Sequence, residues 1–157
     1  MYSLQLTAEQ QEFRDTVRDF VTREIKPAVL HPDWLQQSGW RLPLDLLEQA
    51  AQMGLRSLMV SEENGGAGAD SLTACIVAEE LAAGDVGIAV TLGHTWTLAH
   101  FLFDQAMSPE QRKRLLPAFM ADDKYHLAYA ALPADLERGW RYHRPFDDAA
   151  SSGMTAV

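Results

Sequence analysis

The chain has 157 residues, of which 47% are hydrophobic and 22% are charged. This length suits one ordinary domain, and this composition can bury a core and excludes an intrinsically disordered chain. The formal net charge of −9 makes nucleic acid a poor partner, because an acidic surface repels phosphate backbones. The single cysteine, Cys75, allows no internal disulfide, which fits a reducing, cytoplasmic compartment. The N-terminal residues lack the basic start and apolar run of a secretion signal, so none is expected.

The first predicted element is an amphipathic helix that begins after Thr7. Thr7 is a good N-cap residue, and Gln10 stands at the matching position of a capping box. The apolar residues that recur at helical spacing are Phe13, Val17, Phe20 and Val21. We expect this helix to end near Glu24, because Pro27 and Pro32 predict a short helix and an irregular loop beyond it.

A second helix is predicted to begin near Pro43, because proline suits the first turn of a helix. We expect Leu44, Leu47 and Ala51 to share its buried face. Gly54 predicts its end, since glycine readily adopts the left-handed conformation that closes many helices.

An acidic, glycine-rich loop follows, and the run Gly65–Gly68 predicts a tight connection rather than a flexible one. No Lys-Ser or Lys-Thr pair follows the glycines, so the loop does not fit a phosphate-binding motif. Asp70 predicts the N-cap of a helix that extends to about Ala83. This helix carries two adjacent acids, Glu79 and Glu80, which point in different directions and make a poor catalytic pair.

The next segment, from Val86 to Gln105, is apolar over almost its whole length. Gly93 and two histidines interrupt it, and acidic residues bound it at Asp85 and Asp104. We therefore predict a buried helix in the middle of a bundle in place of a membrane span. The five histidines of the chain show no metal-ligand spacing with cysteine or acidic residues, and no metal site is predicted.

The strongest local signal in the chain begins at Ser108. This N-cap serine precedes a first-turn proline, and Gln111 completes a capping box. The residues expected to be buried on the resulting helix are Leu115, Leu116, Phe119 and Met120. From Lys124 to Leu132 the side chains alternate as in a strand. Residues 133–157 are predicted to be a loop and then, at 154–157, another strand, which indicates the start of a β-type domain.

Three blocks stand in order along the chain. They are LTAEQQEFRDTVRDFVTREIKP, then GLRSLMVSEENGGAGAD followed by AEELAAGD, and then SPEQRKRLLPAFMADDKYHLAYAALPAD. Together they resemble the N-terminal helical domain of flavin-dependent acyl-CoA dehydrogenases. The resemblance implies a mainly α chain: an N-terminal α-helical bundle over residues 1–123, and over residues 124–157 a truncated β segment, the incomplete start of the middle β-domain.

The resemblance also implies a mechanism and a place for the substrate. In that family a glutamate removes a proton from the carbon next to the thioester, and a hydride passes from the neighbouring carbon to FAD. The acyl chain lies between helices of the N-terminal domain and the flavin, which assigns the helix from Val86 to the pocket. The candidate pocket residues are Val90, Gly93, His94 and Thr97. Plain packing of a central helix is the alternative for each of them, and Trp96 is expected in the core.

The family's flavin contacts begin in a strand that corresponds here to Tyr129, Ala131 and Leu132. They use backbone groups and a threonine hydroxyl, whereas Leu132 has no hydroxyl to donate. Backbone contacts from Tyr129 and Ala131 remain, but the departure counts against FAD binding by this chain alone. The family's catalytic glutamate lies in a C-terminal helical domain, so no catalytic residue is predicted within residues 1–157.

The resemblance therefore implies the N-terminal portion of an FAD-dependent acyl-CoA dehydrogenase, inactive without the remaining domains or a partner subunit. It implies acyl-CoA as substrate and a homo-oligomer, with neither nucleic acid nor membrane as partner. Two alternatives stay open: a catalytically silent helical binding or interaction module, and a flavin monooxygenase or oxidase of the same fold. For the basic and aromatic tail cluster at 138–144, a solvated loop is favoured over contact with CoA phosphates.

Overall fold

The structure is a computed structural model that describes residues 5–35 and 42–129. Described residues up to Leu127 belong to one compact unit, and Ala128 and Tyr129 belong to a second. The α-helices in the described part are α1 (Ala8–Phe20), α2 (Lys26–Val29), α3 (Pro32–Leu35), α4 (Leu44–Gln52), α5 (Ser71–Ala82), α6 (Val86–Ala99) and α7 (Pro109–Ala121). This confirms the predicted mainly α class for the helical part of the chain.

Both predicted capping boxes are present, at the starts of α1 and α7. The backbone N–H of Gln10 donates to Thr7 Oγ1 at 3.2 Å, and Gln10 Oε1 accepts from the Thr7 N–H at 3.0 Å. Ser108 and Gln111 make the same reciprocal pair, at 3.3 Å and 2.9 Å. The local sequence therefore fixes both helix starts by satisfying backbone donors that would otherwise lack a partner.

The first helix does not end near Glu24 as the sequence predicts. A π-helical segment, Val21–Ile25, joins α1 to α2, and the Lys26 N–H donates to the Val21 carbonyl. Pro27 has no N–H to donate, and its ring would clash with a backbone carbonyl inside a regular α-helix. The π turn just before Pro27 contains one more residue per hydrogen-bonded turn than an α-helical turn. The wider turn therefore lets the helix continue through the proline.

This π-helical segment also packs closely against the end of α5. A Cβ added to Gly84 would lie 2.8 Å from Val21 Cγ1 and 2.9 Å from Ile25 Cγ2, so only glycine fits there without a shift. On the surface, Arg18 Nε donates to a carboxylate oxygen of Glu80 at 3.0 Å and ties α1 to α5. Glu80 thus forms an ion pair between the two helices.

Helix α4 ends at Gly54 as predicted, but its buried face differs from the predicted one. The Gly54 N–H donates to Ala51 at 2.8 Å, and Gly54 has a φ of 84°. Leu44 is 68% exposed, which contradicts its predicted burial. The buried residues are Leu46, Leu47, Ala50 and Ala51. At 100° per residue, the centre of this stripe lies about 90° around the helix from Leu44.

The glycine loop is folded tightly, as the sequence predicts. It contains two 3₁₀ turns, Leu55–Ser57 and Glu62–Asn64. Three backbone N–H groups close it: Gly66 donates to Ser61 at 3.0 Å, Gly68 to Val60 at 2.8 Å and Ala69 to Leu58 at 3.0 Å. The loop then meets α5, whose predicted cap is present with Asp70 accepting from the Thr73 N–H at 2.7 Å.

Helix α5 packs against both α1 and α6 and forms the centre of the main hydrophobic core. A second, smaller cluster joins Val60, Ala99, Phe103 and Phe119. Of the residues predicted to be buried on α7, Phe119 is buried, Leu116 and Met120 are half-buried, and Leu115 is exposed. The predicted face was too wide because α7 contacts its neighbours through one narrow stripe.

The π-helical segment His100–Ala106 continues α6 without a break. Together they form Val86–Ala106, a helix of the described chain that is long and apolar enough to cross a membrane by length and composition alone. The core helix of a soluble protein meets the same criterion, and one side of this helix lies in the main core.

After α7, residues 125–129 form neither helix nor strand with other described residues. The remaining residues of the strand predicted over 124–132, and the whole of the segment 133–157, lie outside the described residues. A strand gains its hydrogen bonds only from a partner, and the described helices offer none.

Candidate acyl-binding face and its supporting contacts

Helix α6 has two sides of different character. One side enters the core with residues that are almost completely buried, namely Ile88, Leu92, Thr95, Trp96 and Ala99. The other side carries Val86, Val90 and, in the π-helical segment, Phe101, all of which are exposed. The predicted burial of this helix therefore holds for one of its sides and not for the other. Trp96 lies in the core, as predicted.

The four candidate pocket residues lie on this outer side. Val90 is 49% exposed, His94 and Thr97 are exposed, and Gly93 is half-buried. Their spacing of three and four residues places them next to one another along the helix. We name Val90, Gly93, His94 and Thr97 the outer strip. Val90 is the one apolar side chain of the strip, His94 and Thr97 are polar, and the strip carries no carboxylate, ammonium or guanidinium group.

Gly93 is the one residue of the outer strip that has no side chain. A Cβ built on it would meet only the ring of Trp96, at 3.7 Å, which is an ordinary van der Waals distance. Glycine is therefore not required there by the helix packing. Its absence of a side chain leaves open space above the buried indole.

Of the three predicted flavin contacts, only Tyr129 lies among the described residues, and it is 70% exposed. Ala131 and Leu132 lie outside the described residues. The three flavin contacts therefore stay a prediction.

A buried arginine, which the sequence did not single out, lies beneath the segment that follows α7. Arg56 is 3% exposed, and its Cζ lies 4.2 Å from the ring centroid of Phe119. Its Nη1 donates to the Tyr125 carbonyl at 3.2 Å, and its Nη2 lies 3.9 Å from Asp123 Oδ1. Burial lowers the pKa of Arg56, and nearby Asp123 and Asp122 partly oppose that effect. In the sequence, the signal for this buried cation is that an arginine stands inside the apolar run Leu55–Val60.

His126, close to this arginine, is half-buried beside Thr95. Its Nδ1 lies 3.4 Å from Thr95 Oγ1, and the Leu127 N–H donates to the same hydroxyl oxygen at 3.4 Å. Burial lowers the pKa of His126, and the positive charge of Arg56 lowers it further. The folded protein therefore favours the neutral ring.

This gives a pH prediction with a definite sign. Because the pKa of His126 lies below its ordinary value of 6.5 in the folded state, the unfolded chain binds the proton more tightly. The free energy of unfolding is therefore expected to decrease as the pH falls from 6.5 towards the folded-state pKa of His126. Urea unfolding at a series of pH values measures this slope.

The matched variants are His126→Gln and His94→Gln, which replaces an exposed ring. We expect His126→Gln to flatten the slope just below pH 6.5 and His94→Gln to leave it in place. An equal slope in the unaltered chain and in His126→Gln would rule out this role for His126.

Asp104 forms the centre of a second polar network, at the far end of the same long helix. Its carboxylate accepts from the Ser61 N–H at 3.0 Å and Ser61 Oγ at 2.7 Å, from Asn64 Nδ2 at 2.6 Å and from His100 Nδ1 at 2.8 Å. Because an ionised carboxylate only accepts, Nδ1 of His100 is the donor in this contact. Burial on its own would raise the pKa of Asp104, but the hydrogen bonds from Ser61, Asn64 and His100 outweigh it and lower the pKa.

A cleft of about 560 Å³ lies beside this network. It is lined by Met59, Ser61, Glu62, the segment Gly68–Ser71 and His100. The carboxylates of Glu62 and Asp70 make it a poor site for an apolar chain, because burying a charge against hydrocarbon is costly. No residue of the outer strip lines it, so the cleft and the predicted acyl site are different places.

Comparison with known proteins matches the helical part of the chain. Residues 7–123 match the family described as "Acyl-CoA dehydrogenase, N-terminal domain". The chain is 30% identical over 122 residues to the mitochondrial isobutyryl-CoA dehydrogenase of Dictyostelium discoideum and 31% identical over 123 residues to that of Bos taurus. It is 32% identical over 114 residues to the short-chain specific acyl-CoA dehydrogenase of Clostridium acetobutylicum.

These matches cover most of this chain but a minor part of each relative. The aligned part is 71% to 78% of this chain and 28% to 29% of the three relatives. The aligned residues thus span less than a third of the length of each of these three relatives. The match of residues 7–123 covers well over half of the chain. The chain therefore belongs to the acyl-CoA dehydrogenase family, of which it carries the N-terminal helical domain.

Proposed function

We propose that this chain supplies the helical wall of the acyl pocket in an FAD-dependent enzyme that dehydrogenates an acyl-CoA thioester between its α and β carbons. The observation that carries the proposal is the outer side of the long helix Val86–Ala106, where the apolar side chains Val86, Val90 and Phe101 are exposed around the outer strip while the opposite side is core. The family membership of residues 7–123 supports acyl-CoA as the class of ligand.

The outer strip suits a hydrocarbon chain for three physical reasons. Val90 offers apolar area, whose burial stabilises a complex by about 25 cal/mol per Å². Gly93 leaves room for the ligand to approach the helix backbone and the Trp96 ring. Thr97 and His94 carry the polar groups of the strip, which can orient a ligand without placing a fixed carboxylate against it.

Flavin would supply the hydride acceptor in such an enzyme. The described residues do not build its site, so we derive no step through it. We propose Tyr129, Ala131 and Leu132 as contacts of the flavin in the assembled enzyme, with backbone groups as the donors and acceptors. The missing hydroxyl at Leu132 supports weak FAD binding by residues 1–157 alone.

The remaining parts of the proposal concern the assembled protein. We place the helical domain at residues 1–123 and the start of a β-domain at residues 124–157. In this proposal residues 1–157 alone do not catalyse, because the proton-abstracting glutamate that the family implies is not among them. The enzyme is proposed to be a cytoplasmic homo-oligomer in which other domains or a partner subunit cover the outer strip.

The acyl site can be tested by photo-crosslinking. An acyl-CoA with a diazirine at the end of its acyl chain is added to the 157-residue chain, and the labelled peptides are mapped by mass spectrometry. We expect labelling on the outer strip that excess unlabelled acyl-CoA removes and free CoA does not. Val90→Asn is expected to lower this labelling about fivefold, since losing about 1 kcal/mol of apolar contact changes an equilibrium by that factor.

The matched control is Leu30→Asn, which makes the same kind of change at an exposed leucine of the described unit. It is expected to leave the labelling unchanged. Equal loss in both variants, or labelling concentrated at the acidic cleft, would overturn the proposed site. Tight, stoichiometric acyl-CoA binding that neither FAD nor further domains improve would favour a binding module over a dehydrogenase.

A further inference from the structure

We infer that Arg56 and Thr95 are positioning residues that hold residues 122–127 on the helical unit. This segment directly precedes Tyr129, the first of the proposed flavin contacts, and the link to flavin rests on the proposed function. The two residues belong to different elements. Arg56 lies in the 3₁₀ turn Leu55–Ser57 and Thr95 lies on the buried side of α6.

Arg56 holds the segment from below. Its Nη1 donates to the Tyr125 carbonyl at 3.2 Å across a separation of 69 residues in sequence. Its guanidinium stacks on Phe119, and Tyr125 packs edge-on against the same ring, with centroids 6.1 Å apart and an angle of 88°. Tyr125 is thus held through both its backbone and its side chain.

The chemistry of Arg56 argues for positioning over simple space filling. Burying a guanidinium costs several kcal/mol unless its donors are satisfied, and among the described residues its Nε has no hydrogen-bond partner. An apolar residue would fill the same space without that cost. What only arginine supplies here is a planar cation that stacks on Phe119 while it donates to a backbone carbonyl.

Thr95 holds the next two residues from the side. Its hydroxyl donates to the Thr91 carbonyl at 2.8 Å, and its oxygen can still accept from the segment. It accepts from the Leu127 N–H at 3.4 Å, and His126 Nδ1 lies at the same distance from it. Three consecutive residues, 125 to 127, are therefore fixed from two separate elements.

The position of this segment bears on the proposed flavin contacts through chain length alone. Two residues of extended chain span at most about 7 Å. With Leu127 fixed, the Cα of Tyr129 can move only within about that distance of it. Loss of the contacts from Arg56 and Thr95 would remove this restriction while leaving the helix cores in place.

Hydrogen exchange of the 157-residue chain, without FAD or acyl-CoA, tests the inference. In Arg56→Met the amides of residues 125 to 127 are expected to exchange about tenfold faster, the change that loss of one charge-assisted hydrogen bond gives. Amides in the cores of α5 and α6 are expected to keep their rates. Arg56→Lys keeps the positive charge but loses the forked guanidinium. Its exchange rates at residues 125 to 127 are expected to lie between those of Arg56→Met and those of the unaltered chain.

A second pair of variants serves if Arg56→Met does not fold. Thr95→Val removes the hydroxyl and is expected to speed exchange at Leu127 about tenfold, whereas Thr95→Ser keeps the hydroxyl and is expected to keep the rate. Arg114→Met changes an exposed arginine of α7 and is the common control.

Unchanged exchange at residues 125 to 127 in Arg56→Met or in Thr95→Val would overturn the inference. So would equal acceleration throughout α5 and α6, because that would make Arg56 an ordinary core residue. Neither result bears on acyl-CoA binding, which the crosslinking experiment decides separately.

Discussion

Replacing Asp104 by asparagine is expected to lower the free energy of unfolding by about 3 kcal/mol. The carboxylate accepts hydrogen bonds from Ser61, Asn64 and His100, and each hydrogen bond to a charged group contributes about 1.5 to 3 kcal/mol when it is removed alone. An amide keeps one acceptor oxygen and points a donor at groups that are themselves donors. Because the contacts share one carboxylate, their losses do not add fully. Urea unfolding at neutral pH measures the change.

The same carboxylate gives an acid dependence in the same direction as that of His126, although hydrogen bonds to the charged form lower the pKa of Asp104 whereas burial lowers that of His126. The pKa of Asp104 lies below its ordinary value of 3.8 in the folded state, so its contribution is complete above that value. It is lost as the pH falls below 3.8 towards the folded-state pKa. In Asp104→Asn this part of the acid-induced loss of stability is expected to be absent.

Asp19→Asn is the matched control, since Asp19 lies on the surface in an ion pair with Arg23 at 2.9 Å. Exposed ion pairs contribute about 0.2 to 1 kcal/mol, so a small change is expected. If Asp104→Asn and Asp19→Asn lower the free energy of unfolding equally, the contacts of Asp104 with Ser61 and Asn64 do not stabilise the glycine loop.

Gly66→Ala is expected to cost about 3 kcal/mol of stability, the upper part of the usual range for overpacking. A Cβ on Gly66 would lie 2.2 Å from the Val60 carbonyl oxygen and 2.6 Å from that of Ser57. Both are backbone atoms of the same tight loop, so no side chain can rotate away to make room. The loop must open, and the Gly66 and Gly68 hydrogen bonds that close it are strained with it. Thermal and urea unfolding followed by circular dichroism measure the loss.

Gly93→Ala is the control for this substitution. Its Cβ would meet Trp96 at 3.7 Å, and alanine in a helix is more stable than glycine by about 0.5 to 1 kcal/mol. We therefore expect this variant to be slightly more stable than the unaltered chain. A Gly66→Ala protein as stable as Gly93→Ala would show that the loop adapts at little cost.

The features that sequence predicts well here are local ones. Thr7 and Ser108 form their capping boxes with residues three positions away, and Gly54 closes a helix through its own backbone conformation. Each depends on a few neighbouring residues, so it can be read from the chain without knowledge of the fold. The tightness of the glycine loop follows for the same reason.

The features that sequence does not predict depend on distant partners. Arg56 reaches Tyr125 across 69 positions, and Asp104 reaches Ser61 across 43. No periodicity marks such pairs. The two sides of α6 are equally hard to separate, since apolar residues occur all round the helix and the core side is set by where α5 packs. Family resemblance predicts that the outer strip lines the pocket, and the structure adds that three of its four residues, Val90, His94 and Thr97, are exposed in this unit.

We propose above that this chain is part of an acyl-CoA dehydrogenase and does not catalyse by itself. The most direct test is turnover of a saturated acyl-CoA with FAD and an electron-accepting dye, in the absence of oxygen. The polypeptide read from the complete reading frame that contains these residues is compared with residues 1–157 alone. We predict formation of the α,β-unsaturated acyl-CoA by the former and none by the latter. Turnover by residues 1–157 alone would contradict the account, as would a flavin-loaded complete polypeptide that forms no unsaturated product.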